Sequence, residues 1–354
     1  MNVKKTMLLF LVLLFTGWAA AVDLFSATVP IADESPEARR QAMAEALHQV
    51  LVKASGQQLS MQDKKLRKIL DHAEDQVQEF RYVAAPVERE GEEPGKLLWA
   101  RFGRKAVVRL LHELGLNLWE GGRPELILWL AVDGNGKRHL VDPERENTLL
   151  EAGRVMAEKR GIGLVLPLMD LKDRDALSVS DLRMGHTQSI REASSRYGQA
   201  VPLAGRLQPL HGKWQGDWLL LLPEGERQFR SDGGTPEAAV QAGVQKAVEL
   251  LVDRYLPAVA DDSESSPVRL RFVNVQDAGG YARIIHLLRS LDMVVSLRPL
   301  KAEQDQLLFE ARVRGGRTAL QNQLSLETDL VPTVDIPDDG EATVPLETLS
   351  YSLR

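Results

Sequence analysis

Two interruptions of the apolar pattern constrain this chain more than any single motif, because each piece between them must bury a core of its own. The first is Trp119-Glu120-Gly121-Gly122-Arg123-Pro124, a Gly-Gly-x-Pro break between two apolar segments. The second, residues 257–267 (PAVADDSESSP), is acidic, Ser-rich and bounded by prolines, the composition of a solvated tether. The chain has 354 residues and no cysteine, so no disulfide can stand in for a core in any piece. The division that follows is an N-terminal unit over 22–119, a central unit over 124–256, a linker over 257–267 and a C-terminal module over 268–332. Residues 333–354 carry several acids and prolines and few large apolar side chains; they are read as a tail, disordered or lying on the surface as an extended strip.

Residues 1–21 stand outside this scheme. Lys4 and Lys5 give a short positive region, residues 6–18 (TMLLFLVLLFTGW) an apolar stretch too short to span a bilayer, and Ala19-Ala20-Ala21 the small residues of a cleavage site. The pattern is expected of a cleavable signal peptide, with an uncleaved anchor as the alternative, so the mature chain is expected to start near Val22 and to be periplasmic. Without cysteine, no lipid can be attached at a cysteine behind the signal. No later segment is apolar for long enough to cross a membrane. The net charge of −6 becomes more negative once Lys4 and Lys5 are removed, and the charges are well mixed. Nucleic acid, which needs clustered Lys and Arg, is not an expected partner.

The N-terminal unit opens with an alternating run at residues 24–31, and Ser35-Pro36-Glu37 signals a helix that stops at Gly56. A second helix is expected over 64–80, a strand over 97–102 and a third helix over 105–114. That is a small α+β unit with helices on one face of a sheet. In the central unit, residues 126–132 form a nearly continuous apolar run, a strand buried on both faces. Asp133 to Gly136 turns the chain into a strand over 138–141, followed by a helix over 145–160 and a strand over 164–168. A helix over 189–197, strands over 200–207 and 213–222 and a helix capped by Thr235 complete a three-layer α/β sheet domain with an antiparallel edge. The C-terminal module reads β-α-β-β-α, a half-ferredoxin-like arrangement. The fold class is therefore α/β and α+β, multidomain.

The opening VDLFSATVPIADESPEARRQAMAEALHQVLVKASG, with LLWARFGRKAVVRLLHELGLNLW, RPELILWLAV, LVLPLMDLKDRDALSVSDL and RYGQAVPLAGRLQPLHGKWQGDWLLLL, resembles an uncharacterised family of secreted Gram-negative proteins, the DUF2066 domain-containing proteins. The likeness implies a periplasmic location and brings no catalytic residue with it.

Catalytic signatures are lacking. There is no G-x-S-x-G elbow and no phosphate loop, and Gly134 and Gly136 lack the third glycine of a dinucleotide turn. The seven histidines never fall at metal-ligand spacing, so no metal and no cofactor is expected. The best acidic group is Asp170, Asp173 and Asp175, just after the strand ending at Leu168, where open α/β sheets place ligands. Lys172 and Arg174 alternate with these acids, which favours a self-paired loop over a cation site. Trp214 and Trp218, four apart on one strand, share a face and read either as an aromatic platform or as core. Tyr281, at the start of a helix with Ile285 and Leu288, is the remaining surface candidate. Two functions stay open. One is a non-catalytic periplasmic interaction or assembly module whose partner is another cell-envelope protein. The alternative is an envelope enzyme or small-ligand-binding protein using the loop after the second strand of the central domain.

Overall fold

The computed structural model describes residues 23–85, 95–119, 121–134, 137–256, 265–291, 293–303, 305–327, 329–333 and 348–354. The expected signal peptide, most of the tether and residues 334–347 of the tail lie outside them. The architecture is mixed α/β, with three sheets, a core on each, and a further core on the other face of the central sheet.

In the N-terminal unit, β1 (Ser26–Ile31) buries Ala27, Val29 and Ile31 by simple alternation. The Ser35 hydroxyl accepts from the Ala38 N–H, and Pro36 opens α1 (Pro36–Ser55), which buries Met43, Leu47, Val50 and Leu51 along one stripe. Then come α2 (Lys64–Leu70), β2 (Val77–Ala84), β3 (Lys96–Phe102) and α3 (Arg104–Glu113), in an antiparallel sheet of order β1-β3-β2. The helix expected over 64–80 ends at Leu70. Residues 77–84 pair with β3 instead, Phe80 opposite Ala100 and Tyr82 opposite Leu98. Pairing satisfies the backbone groups of β3, an advantage that helical periodicity cannot reveal.

The central unit holds β4 (Leu126–Gly134), β5 (Lys137–Leu140), α4 (Asn147–Lys159), β6 (Leu164–Val165), α5 (Leu171–Ala176), α6 (Val179–Met184) and α7 (Thr187–Ser194). It continues through β7 (Val201–Leu210), β8 (Lys213–Leu222), β9 (Gly225–Gly233) and α8 (Pro236–Tyr255). The strand order is β5-β4-β7-β8-β9, with β6 beside the start of β4. Leu126, Leu128, Leu130 and Val132 join the core with α4 and α8; Ile127, Trp129 and Ala131 join the one with α6 and α7. Both faces of β4 are thus covered, as its unbroken apolar run requires. Two expectations are corrected. The strand over 164–168 is only two residues long, because Pro167 cannot donate to a ladder and the chain leaves the sheet there. The polar β9 lies outside the strands expected from the sequence; it pairs with β8 over its whole length, and its exposed face conceals the strand pattern.

In the C-terminal module, β10 (Ser266–Val273), α9 (Ala278–Ser290), β11 (Val294–Glu303), β12 (Gln306–Val313), α10 (Gly316–Leu324), β13 (Leu330–Pro332) and β14 (Thr348–Leu353) form a sheet of order β11-β12-β10-β14-β13. A β-α-β-β-α-β unit is completed by β13, and β14 inserts between β10 and β13, parallel to the former and antiparallel to the latter. The tail expectation is therefore corrected over 348–353. Leu349, Tyr351 and Leu353 alternate into the core, a short strand signal masked by the acidic, proline-rich stretch before it. The linker is shorter than expected as well, since β10 already begins at Ser266.

At Trp119 and Arg123 the break is packed rather than extended. Trp119 is buried in the central core, and Arg123 lies over its ring and donates to the carbonyls of Ala54 and Gly161, both at 2.8 Å. Among the described residues, no helix is long and apolar enough to cross a membrane.

Candidate functional site

The chain leaves β6 through Leu166-Pro167-Leu168-Met169 and enters α5 at Asp170. The Asp170 carboxylate caps α5 by accepting from the Asp173 N–H at 3.0 Å. It also takes a two-pronged ion pair from Arg196, at 2.7 and 3.0 Å, which holds its pKa down at about 2. Asp173 is fully buried. One of its oxygens accepts from Arg196 at 2.9 Å, the other from the Met169 N–H at 2.9 Å and the Tyr197 hydroxyl at 2.5 Å. The Leu168 N–H in turn donates to the Tyr197 oxygen at 2.9 Å. Burial, and then the bond to Asp173, push the Tyr197 phenol up to about 12. Every oxygen of these two acids is engaged, and the buried charge is paired and hydrogen-bonded.

The loop's partner is thus Arg196, not the interleaved Lys172 and Arg174; Arg174 reaches Asp142 at 3.0 Å instead. Asp175 is exposed and stands apart from the network. Arg196 and Tyr197 lie more than twenty residues downstream, read from sequence as an ordinary helix end, and no local spacing announces their contact. Among the described residues, no three His, Asp or Glu side chains gather as a metal site.

This network fixes a loop of unusual conformation. Met169 has φ +53°, a left-handed geometry costing a non-glycine residue about 1 kcal/mol. Its side chain is buried, while its neighbours Leu168 and Leu171 are 66% and 77% exposed. Met184, at the end of α6 in the same helical layer, is exposed too.

The tryptophans divide. Trp218 is buried in the core shared with α8, donates to the Ser231 hydroxyl at 2.8 Å and stacks on Phe229. Gly205 and Gly243 leave room for its ring, which a Cβ at either position would overlap. It is core, not platform. Trp214 is half-buried against the same core. Tyr281 is 38% exposed on α9, whose core face is Gly280, Ile284 and Leu288 rather than a stripe through Tyr281. The structure does not bring it to the Asp170 loop: it packs near Phe309 of the third core.

Comparison with known proteins adds one point. Residues 19–120 match a family described as a domain of unknown function (DUF8605). The match spans the N-terminal unit and ends just past the buried Trp119. Neither a curated protein nor a solved structure matches the chain.

Proposed function

We propose that the chain is exported to the periplasm and acts there as a non-catalytic interaction module, docking another envelope protein through the loop at Leu168 and Leu171. One observation carries this reading: a buried ionic network and a left-handed Met169 hold two large leucines out in water. Exposed apolar side chains on a rigidly built loop gain nothing within the fold and suit an apolar pocket on a partner. The wider resemblance to the DUF2066 proteins belongs to the same proposal and supports the location. Acid–base work by Asp170 and Asp173 is disfavoured, because their oxygens are already committed to Arg196, Tyr197 and backbone N–H groups.

The test places a photo-crosslinking residue at position 171 in the full chain in living cells. A discrete adduct with an envelope protein, lost when Leu168→Ser is added, is the expected result. If a Leu168→Ser/Leu171→Ser variant, folded by circular dichroism, supports every phenotype of the wild type, the docking loop is ruled out.

A further inference from the structure

We infer that the central unit also holds a binding site for a small organic oxyanion, an anionic head on an apolar body, in the cleft between β5 and the α5–α6 segment. The cleft has a volume of about 440 Å³, within the range of small-molecule sites. It opens on the outer side of β4, where two short strands part company. There, β6 pairs with Leu126 and Ile127, and β5 with residues 131–134. Ligands of α/β sheets sit outside the carboxyl ends of parallel strands, and the cleft lies at that end of β4 and β6.

The charge on its walls is unbalanced. Three arginines, Arg138, Arg145 and Arg174, face only two carboxylates, Asp142 and Glu146, with the His139 ring beside them. Both carboxylates are used: Asp142 takes Arg174 at 3.0 Å and Glu146 takes His139 at 2.5 Å. Arg138 approaches Asp133 at 3.7 Å, beyond hydrogen-bond distance, and that carboxylate is already held by Arg206 at 2.7 and 3.0 Å. Arg145 makes no side-chain hydrogen bond or ion pair with the described residues. Arg145 therefore offers a whole guanidinium fork, and Arg138 one that is held only by the long ion pair to Asp133; their planar donor geometry suits a carboxylate or phosphate head. Leu140 and Val179, both half-buried, line the same cleft and offer an apolar surface to the rest of the ligand, with Met169 and Leu177 buried behind them.

The test titrates the full chain with phenyl phosphate and with inorganic phosphate by calorimetry. Phenyl phosphate is expected to bind at one site, about tenfold tighter than inorganic phosphate because its ring is buried. Arg138→Gln and Arg145→Gln should each weaken it about tenfold, the loss of one charged hydrogen bond. Arg298→Gln on the exposed strand β11 should leave affinity unchanged. Flotation with phosphatidylglycerol vesicles separates the sources of the anion. Vesicle binding lost in both arginine variants assigns the head to a lipid, whereas phenyl phosphate binding without flotation assigns it to a soluble molecule. If neither probe binds saturably, or both arginine variants bind like the wild type, the site does not exist. The leucine substitutions should leave phosphate binding intact, so this test fails or succeeds apart from the docking proposal.

Discussion

At the end of α1, the carbonyls of Ala54 and Gly56 are met by two guanidiniums; at the end of α8, those of Arg254 and Tyr255 are met by two carboxamides. Both arrangements answer one need, since the last carbonyls of a helix lack partners within it. They differ in strength. Arg160, buried at the central unit's end of the first junction, gives Nε and Nη2 to the Gly56 carbonyl at 2.9 and 2.6 Å. Arg123 spans Ala54 and Gly161. Both cations also lie at the negative end of the α1 dipole. Burial depresses the pKa of Arg160, yet a guanidinium starts so high that it stays charged. At the second junction Gln323 gives one N–H to Tyr255, Asn322 a longer one to Arg254 at 3.3 Å, and the buried Gln323 Oε1 has no partner. The bonds that close α1 at the first junction are thus charge-assisted, and those that close α8 at the second are neutral, with one buried acceptor left over. The weaker joint is where the units should separate first.

The steepest way to break the first junction is Gly56→Ala. Gly56 has φ +67°, and a Cβ there would lie 2.7 Å from the Trp119 ring and 3.0 Å from Val252. The left-handed backbone and the overpacking together should cost about 3 kcal/mol in chemical denaturation. Tryptophan fluorescence should then show two transitions instead of one. A loss below 1 kcal/mol would mean that Trp119 yields easily and that the junction is softer than its packing implies.

Arg160→Met removes the charged cap while keeping a long apolar side chain. The Gly56 carbonyl loses both donors from Arg160, and a loss of about 2 kcal/mol is expected. Amide hydrogen exchange should rise in the last turn of α1 and stay unchanged in β7 and β8. If exchange rises equally in both places, Arg160 supports the whole central core and the comparison between junctions fails.

Some of this was written plainly in the sequence. The run from Leu126 to Val132 could only be a doubly covered strand, and Ser35-Pro36 and Thr235-Pro236 mark the starts of α1 and α8. What escaped was settled at a distance. Val77 to Ala84 is a strand because β3 lies beside it, and β14 is ordered because β10 and β13 leave a slot for it. The sequence reads the Asp170 loop as paired within itself through Lys172 and Arg174, whereas its partners are Arg196 and Tyr197, which come beside it only once the fold closes. Likewise, nothing in Trp119-Glu120-Gly121-Gly122-Arg123-Pro124 announces a packed junction. A Gly-Gly-x-Pro string reads as slack chain until the carbonyls that need Arg123 are known.

The smallest effect belongs to the second junction. Gln323→Met deletes the hydrogen bond to Tyr255, but it also removes the buried Oε1 that has no partner, so the two changes oppose each other. The expected loss is about 1 kcal/mol or less, well under that of Arg160→Met. The consequence should be clearer in association than in stability. Protease cleavage within 257–264 leaves the two wild-type pieces joined only by contacts such as those of Asn322 and Gln323 with the end of α8. On gel filtration the nicked wild type should stay together, and nicked Gln323→Met should release a fragment carrying β10 to β14. Should Gln323→Met prove as costly as Arg160→Met, with the nicked pieces still bound, the neutral cap would be as strong as the charged one. The difference between the junctions would then have to lie in their packing rather than in the charge of the donors.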